Sequence, residues 1–140
     1  MEFEKRHTFA KTPCYAHDGD RGLDLYSCES IVIPPFESRL VDTGIAIALP
    51  DGLVGLVTSK SGLALNEGLI VLNSPGVIDE YRGTLKVILY NCTKLDTTVV
   101  RGQKIAQLVI VPYTKVSLEQ VDILPDSSRG ENGFGSTGLI

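Results

Sequence analysis

The sequence is built largely from short apolar runs, rich in valine, isoleucine and leucine, that end at glycine, proline, aspartate or asparagine. Runs of this length and spacing are typical of all-β domains, and helical periodicity is scarce. We therefore predict an all-β fold. The predicted strands cover residues 23–28, 30–33, 39–43, 45–49, 53–58, 69–72, 84–91, 97–100, 104–111 and 117–123. Because these strands are too many for a single sheet, we expect a sandwich or barrel.

Residues 61–68 are the one stretch that favours a helix, with a serine near its start and Gly68 as its stop. A chain of 140 residues is expected to form one domain with its own core. We therefore predict a single domain over residues 1–140. Residues 126–138 carry few packing side chains, so we expect residues 126–140 to form a mobile C-terminal arm.

The composition excludes several classes of protein. Hydrophobic residues make up 43% of the chain, but no apolar window is long enough to span a bilayer. A net charge of −4 argues against a broad nucleic-acid surface, although a small anionic ligand needs only a few donors. The charged N-terminus does not resemble a signal peptide, and the three widely spaced cysteines suggest neither disulfides nor zinc. We therefore expect a cytoplasmic protein that is not secreted.

The outer faces of some predicted strands carry more apolar residues than a monomer would leave in water. Leu85, Val87 and Leu89 would line one face of residues 84–91, yet Ile88 and Tyr90 make the opposite face partly apolar. This surplus suggests contacts between subunits.

Residues 76–83 have an unusual composition for a surface turn. Two glycines bracket an apolar pair, the carboxylate of Asp79, the ring of Tyr81 and a guanidinium. The stretch is either a plain β-hairpin tip or a hairpin that carries chemistry.

The C-terminal tail spells G-x-G-x-x-G with Gly133, Gly135 and Gly138. A dinucleotide fingerprint needs a strand before these glycines and a helix after them, and the sequence stops at Ile140. The tail is therefore either a flexible lid that closes over a ring and a phosphate, or a solvated linker.

Three further positions place polar groups where an anion or a metal could bind. Lys60 and two hydroxyl residues stand where the predicted helix begins, which suits a phosphate or a capped helix with an exposed lysine. Asp24 interrupts an apolar run, either as turn chemistry or near a metal. Gln107 lies inside an apolar strand, facing a polar pocket or making a structural hydrogen bond.

Taken in chain order, these five stretches resemble the five motifs of the trimeric dUTP pyrophosphatases, or dUTPases. The near-verbatim matches are Ser-Gly-Leu-Ala at 61–64, Gly-Val-Ile-Asp at 76–79, Ile-Ala-Gln-Leu at 105–108 and Gly-Phe-Gly-Ser-Thr-Gly at 133–138. The resemblance spans about residues 20 to 138, and the order of the motifs is hard to obtain by chance.

The resemblance implies a distorted jelly-roll or β-barrel protomer, assembled as a homotrimer with three active sites at subunit interfaces. The tail would cross to a neighbouring chain. The reaction would be hydrolysis of dUTP to dUMP and pyrophosphate with Mg²⁺, which keeps uracil out of DNA and supplies dUMP for thymidylate synthesis. Nucleic acid and membrane are not implied as partners. The protein would work in the cytoplasm, or inside a host cell if it is viral.

The resemblance also assigns roles to residues. Asp79 would be the general base that activates the attacking water, and Asp24 would act on Mg²⁺ through water. The residues expected to hold the uracil and deoxyribose are Asn73, Gly76, Val77, Ile78 and Tyr81. Those expected to hold phosphate are Lys60, Ser61, Gly62 and Gln107. Those expected to close over the nucleotide from the tail are Arg129, Phe134, Gly135, Ser136 and Thr137.

Three departures from the family pattern stand out. Lys60 replaces the usual arginine, Arg21 replaces a small residue, and the spacing from Asp79 to Tyr81 is one residue shorter than usual. The shorter spacing would change the face of one side chain if it lay in a hairpin. Two other functions remain open: a non-catalytic or weakly active trimeric nucleotide-binding or regulatory module, and a relative of dCTP deaminase.

Overall fold

The computed structural model of the chain describes residues 1–134 and residue 136, and these form eleven strands and one helix. The predicted all-β class is confirmed. In chain order the elements are β1 (Glu2–Lys5), β2 (Gly22–Tyr26), β3 (Ile31–Ile33), β4 (Ser38–Asp42), β5 (Ile45–Ala48), β6 (Leu53–Thr58), α1 (Ser61–Glu67), β7 (Leu69–Val71), β8 (Gly76–Ile78), β9 (Lys86–Asn91), β10 (Thr97–Val99) and β11 (Lys104–Pro112). The helix is not long and apolar enough to cross a membrane.

Two larger sheets share one hydrophobic core. The first has the strand order β2-β11-β6-β8, and the second has the order β4-β9-β7. β1 pairs with β5, and β10 pairs with β3. All pairings among these strands are antiparallel. Alternate residues of β9 point into the core, where Val87 and Leu89 are buried together with Leu25 and Leu108 of the first sheet. This alternation is the period-two pattern of a strand with one buried face.

A β-bulge interrupts β11 near its start. The pairing with β2 shifts register between Lys104 and Ala106, and the consecutive residues Ile105 and Ala106 are both fully buried. A bulge places one extra residue on a strand, so Lys104 and Gln107, three positions apart, lie on the same face. In a regular strand they would lie on opposite faces.

The stretch at residues 76–83 is not a hairpin tip. Its first three residues form β8, which pairs with β6 in the four-stranded sheet, whereas β9 pairs with β4 and β7 in the other sheet. Residues 79–85 therefore connect two sheets. The hairpin prediction was wrong because adjacent strands in a sequence need not pair with each other.

Two strand predictions need correction at the ends of the chain. β1 was missed because its residues are mostly charged and all exposed. The predicted strand at residues 117–123 is absent, and the segment is exposed throughout, with Leu118 at 95% and Ile123 at 87% exposure. Its apolar residues Leu118, Val121 and Ile123 do not keep the strict period of two of a strand, and no strand in the described part of the chain pairs with it.

The single helix ends as predicted but begins differently. Gly68 adopts the left-handed conformation, with φ 63°, and its amide donates to the carbonyl of Ala64. The N-cap residue is Lys60, whose side chain makes no capping hydrogen bond, so the serine cap suggested by the sequence does not form.

We predict that Gly68→Ala destabilises the protein by about 1–2 kcal/mol, because alanine is strained in the left-handed region. A Cβ at this position would also collide with Cγ2 of Thr93. The matched control is Gly62→Ala in the same helix, where a Cβ meets nothing within 4 Å. Urea unfolding at one protein concentration measures both variants. Equal unfolding midpoints for the two would contradict the prediction.

Candidate active site

The centre of the candidate site is a buried carboxylate between two ammonium groups. Asp24 lies in the middle of β2 and is 3% exposed. Nζ of Lys60 contacts its Oδ1, and Nζ of Lys104 lies 2.7 Å from its Oδ2. Oδ2 is shielded from solvent, and its contact among the described residues is this ion pair with Lys104.

The charges around Asp24 set its protonation. Burial alone raises the pKa of this carboxyl group, but contact with Lys104 and Lys60 outweighs burial, and the pKa falls below its ordinary value of 3.8. Contact with Asp24 in turn raises the pKa of Lys104 above 10.5. The site therefore holds one anion and two cations at neutral pH.

Lys104 is a site residue that sequence reasoning missed. It starts β11 opposite Tyr26, two residues after Asp24, and the bulge turns it toward the same face as Gln107. In the sequence, Lys104 stands three residues before Gln107, with two apolar residues between them. In a regular strand this spacing would put the two side chains on opposite faces, so the sequence predicts Lys104 near Gln107 only if a bulge is assumed.

Gln107 lies beside Asp24 in the register of β11 and β2. Its Nε2 donates weakly to the carbonyl of Ser59 at 3.4 Å. A Cβ on Gly22 would lie 2.5 Å from Oε1 of Gln107, so the glycine leaves the space that this side chain occupies. The amide is half-buried beside the charged cluster, close to the start of the helix.

Lys60, Ser61 and Gly62 lie at the start of the helix, beside Asp24. The Lys60 side chain is 25% exposed rather than fully solvated, while Ser61 and Gly62 are exposed. The first hydrogen bond of the helix runs from the amide of Ala64 to the carbonyl of Lys60. The amides of residues 61–63 therefore have no partner within the helix. Arg21 turns away from the cluster and donates to the carbonyls of Gly19 and Asp20.

A second group of predicted site residues surrounds the connection after β8. Asp79 and Tyr81 are exposed, and Oδ1 of Asp79 accepts a hydrogen bond of 3.2 Å from the Tyr81 amide. The Tyr81 side chain packs so closely on Gly83 that a Cβ there would collide with its hydroxyl end. Asp79 also lines an open cavity of about 620 Å³ with Val77, Lys115 and Arg82.

The remaining residues of this group precede or form β8. Asn73 is exposed, and its Nδ2 would lie 3.3 Å from a Cβ on Gly76. Gly76 is buried, Val77 is exposed and Ile78 is half-buried. These residues therefore form one continuous segment with Asp79.

The two groups are separated within one chain. Gln107 and Asp24 lie level with Thr58 at one end of β6, whereas Ile78, next to Asp79, pairs with Gly55. Three residues of β6 separate these levels, or about 10 Å at the rise of a strand. Asp79 is therefore not part of the Asp24 cluster in the same chain.

The tail residues Arg129, Phe134 and Ser136 are exposed, and the Phe134 ring makes no burying contact. Arg129 donates to the carbonyl of Asn132 at 2.8 Å. Gly135 and Thr137 lie outside the described residues. Among the residues that are described, no group of three or more His, Cys, Asp or Glu side chains is placed to hold a metal ion.

Comparison with known proteins gives a consistent match over the whole chain. The family model described as dUTPase matches residues 8–138. The deoxyuridine 5'-triphosphate nucleotidohydrolase of Clostridioides difficile is 49% identical over 140 residues, covering 99% of this chain and 98% of the relative. The enzyme of the same name from Gloeothece citriformis is 50% identical over 140 residues, covering 99% and 97%.

Solved structures show the same similarity. A dUTPase of Staphylococcus bacteriophage 80alpha with dUpNHpp has a TM-score of 0.91 and 30% identity, covering 99% of this chain and 98% of that chain. A dUTPase from phage phi11 of S. aureus, described for its coordination of a structural Mg(II) ion, has a TM-score of 0.82 and 29% identity, covering 89% and 98%.

We predict that Asp24→Asn lowers the free energy of unfolding at pH 7 by about 2 kcal/mol, because a neutral amide leaves two ammonium groups uncompensated. The lowered pKa of Asp24 means that its contribution is complete above the ordinary value of 3.8 and is lost as the pH falls through the lower folded-state pKa. The difference from wild type should therefore vanish in acid. Urea unfolding between pH 2 and 8 measures it, with the exposed Asp96→Asn as control. A difference that persists unchanged at the acid end would contradict this assignment.

Proposed function

Because this chain belongs to the dUTPase family, we propose that it is a dUTP nucleotidohydrolase that cleaves dUTP to dUMP and pyrophosphate. Water attacks the α-phosphorus of the nucleotide. The observation that carries the proposal is the net positive cluster at Asp24, beside the exposed start of the helix. Two ammonium groups and free amides suit an anionic triphosphate. Removal of dUTP keeps uracil out of DNA, the dUMP product supplies thymidylate synthesis, and the protein works in the cell interior.

The phosphate-holding residues in this proposal are Lys60, Ser61, Gly62 and Gln107. Lys60 is a point charge rather than the planar fork of arginine, so it binds a phosphate oxygen without a bidentate geometry. Its contact with Asp24 fixes the ammonium group from one side. The amide of Gln107 can donate to a second oxygen from its half-buried position.

The residues around Asp24 fit a Mg²⁺ ion carried by the triphosphate. Asp24 would hold such an ion through water, which would donate to the buried Oδ2, and the ammonium groups of Lys60 and Lys104 would pair with phosphate oxygens. This donor set suits an ion that keeps its waters and binds few protein groups directly. When bound, Mg²⁺ offsets the negative charge on the phosphate oxygens.

Asp79 is the general base in this proposal. One of its oxygens accepts the Tyr81 amide, which orients the carboxylate, and the other is available to accept a proton from water. Tyr81, Asn73, Gly76, Val77 and Ile78 hold the uracil and deoxyribose around the same segment. The tail residues Arg129, Phe134, Gly135, Ser136 and Thr137 close over the bound nucleotide, with Phe134 on the base.

A homotrimer resolves the separation between Asp79 and the Asp24 cluster, because Asp79 of one chain can meet the cluster of another. The exposed apolar segment at residues 116–124 supports this assembly, since Leu118 and Ile123 are 95% and 87% exposed among the described residues of their own chain. So does the outer face of the β4-β9-β7 sheet, where Leu40 pairs with Ile88 and stays 54% exposed. Such surfaces are normally buried between subunits.

We predict that Asp79→Asn lowers kcat for dUTP by about 10²–10⁴-fold, the usual contribution of a general base. Pyrophosphate release with Mg²⁺ measures turnover, with dCTP, dTTP and UTP as comparison substrates. Glu80→Gln is the matched control, since Glu80 is an exposed neighbouring carboxylate. Retained activity in Asp79→Asn would assign the base elsewhere. Binding of dUTP without hydrolysis by the wild type would indicate a nucleotide-binding module, and ammonia from dCTP would indicate a deaminase.

We also predict that two variants, each lacking one residue of the proposed site, complement each other. Asp79→Asn and Asp24→Ala chains, unfolded together and refolded as mixed trimers, should regain activity because each lost residue is supplied by the other chain. At equal amounts of the two variants, a site that takes Asp79 from one chain and Asp24 from another has both residues intact in about a quarter of cases, since each chain is of the required type half of the time. A site contained within one chain would give no recovery. Sedimentation of the mixture checks that trimers form, since three chains of 15.1 kDa give about 45 kDa.

A further inference from the structure

The side chain of Arg6 joins the N-terminal segment to the connection that carries Asp79 and Tyr81. Its Nη1 donates a hydrogen bond of 2.6 Å to the carbonyl of Arg82, although the two residues are 76 positions apart. Arg6 directly follows β1, and its side chain contacts the turn that connects the two larger sheets. No motif in the sequence marks Arg6 as part of the site.

Arg6 is itself held in place from two sides. Its backbone amide donates to the carbonyl of Gly44 at 2.8 Å, one residue beyond the pairing of β1 with β5. Its guanidinium contacts Glu4, with Nε 2.8 Å and Nη2 2.7 Å from Oε2. An exposed ion pair of this kind adds little stability by itself, but it fixes the direction of the guanidinium.

The far end of the turn rests on the same backbone as Arg6. The amide of Leu85 donates to the carbonyl of Ile45 at 2.7 Å. The carbonyl of Leu85 accepts from both the amide and the hydroxyl of Thr43, at 3.1 and 2.7 Å. Leu85 is 2% exposed, so this anchor is part of the hydrophobic core. Arg6 and Leu85 are therefore both attached to residues 43–45.

Between these anchors the turn has little other support. β8 stops at Ile78, and Thr84 reaches Asp42 only through its hydroxyl, at 3.2 Å. In the described chain, Arg6 supplies the hydrogen bond that reaches the backbone of residues 79–83 from outside the turn. The remaining contacts of the turn, such as the Tyr81 amide to Asp79, lie within it.

We infer that Arg6 is a positioning residue that holds the Asp79 and Tyr81 turn in its working geometry. The inference rests on the proposed function of that turn. The shift of a reacting group by about 1 Å can cost about 10²-fold in rate, so an anchor outside the site can control turnover without touching the nucleotide. Tyr81 moves with the same backbone, so sugar discrimination depends on the anchor too.

The test compares Arg6→Ala with Arg6→Lys in the full-length protein. We expect Arg6→Ala to lower kcat for dUTP by about 10-fold, with a smaller change in KM, and to reduce the preference for dUTP over UTP. Arg6→Lys should recover part of both, because an ammonium group still donates to a carbonyl but lacks the fork that also binds Glu4. Thermal unfolding should change little, since the Arg6 side chain is 42% exposed.

The chain offers a matched control in Arg39→Ala. Arg39 pairs with Glu37, two residues before it, at 2.7 Å, just as Arg6 pairs with Glu4. Its guanidinium donates to the neighbouring carbonyl of Ser38 instead of to the turn. Loss of this arginine removes the same kind of ion pair without freeing residues 79–83, so kcat and the substrate preference should match wild type.

Hydrogen exchange without nucleotide provides a readout independent of turnover. The amide of Tyr81, which donates to Asp79 within the turn, should exchange faster in Arg6→Ala than in wild type or Arg39→Ala. Unchanged exchange and unchanged kcat in Arg6→Ala would overturn the inference. A wild-type protein that does not hydrolyse dUTP would refute the proposed function instead, and faster exchange in Arg6→Ala would still support the anchoring role.

Discussion

The pairing of Asp24 with Lys60 and Lys104 is the interaction on which the four-stranded sheet depends. Moving a carboxylate into a position with 3% exposure costs several kcal/mol unless cations compensate for the lost hydration. Lys60 follows the end of β6, and Lys104 begins β11. The three charged side chains therefore hold three adjacent elements, β2, β11 and β6, at the same level. Any other register would separate at least one ammonium group from the carboxylate.

The same pairing makes this end of the sheet receptive to anions. Two cations around one carboxylate leave a net positive charge, and the lowered pKa of Asp24 keeps that balance throughout the neutral range. The structural role of the cluster and its proposed role in phosphate binding therefore do not compete. Lysine at position 60 suits the first role, because a compact ammonium group reaches a buried carboxylate at the side of the site.

Most of the fold could be predicted from the sequence because a half-buried strand shows its alternation of apolar and polar residues in the sequence itself. The predicted bounds of β6 agree with the structure residue for residue, and β9 and β11 differ by one or two residues at their ends. The period carries no information about pairing partners. It therefore gave a false strand at residues 117–123, a false hairpin after Pro75, and no indication of the bulge that brings Lys104 into the site.

The short spacing between Asp79 and Tyr81 has a different meaning once the pairing is known. A one-residue change inside a ladder would reverse the face of every following side chain. β8 ends at Ile78 and β9 begins at Lys86 in another sheet, so the change falls in a connection that belongs to no ladder. The strands on both sides keep their faces. The shorter connection is instead held by contacts within itself. The Tyr81 amide donates to Asp79, and the Tyr81 side chain packs against Gly83. The placement of the Asp79 carboxylate and the Tyr81 ring therefore depends on local packing and on the groups that anchor the turn, rather than on strand register.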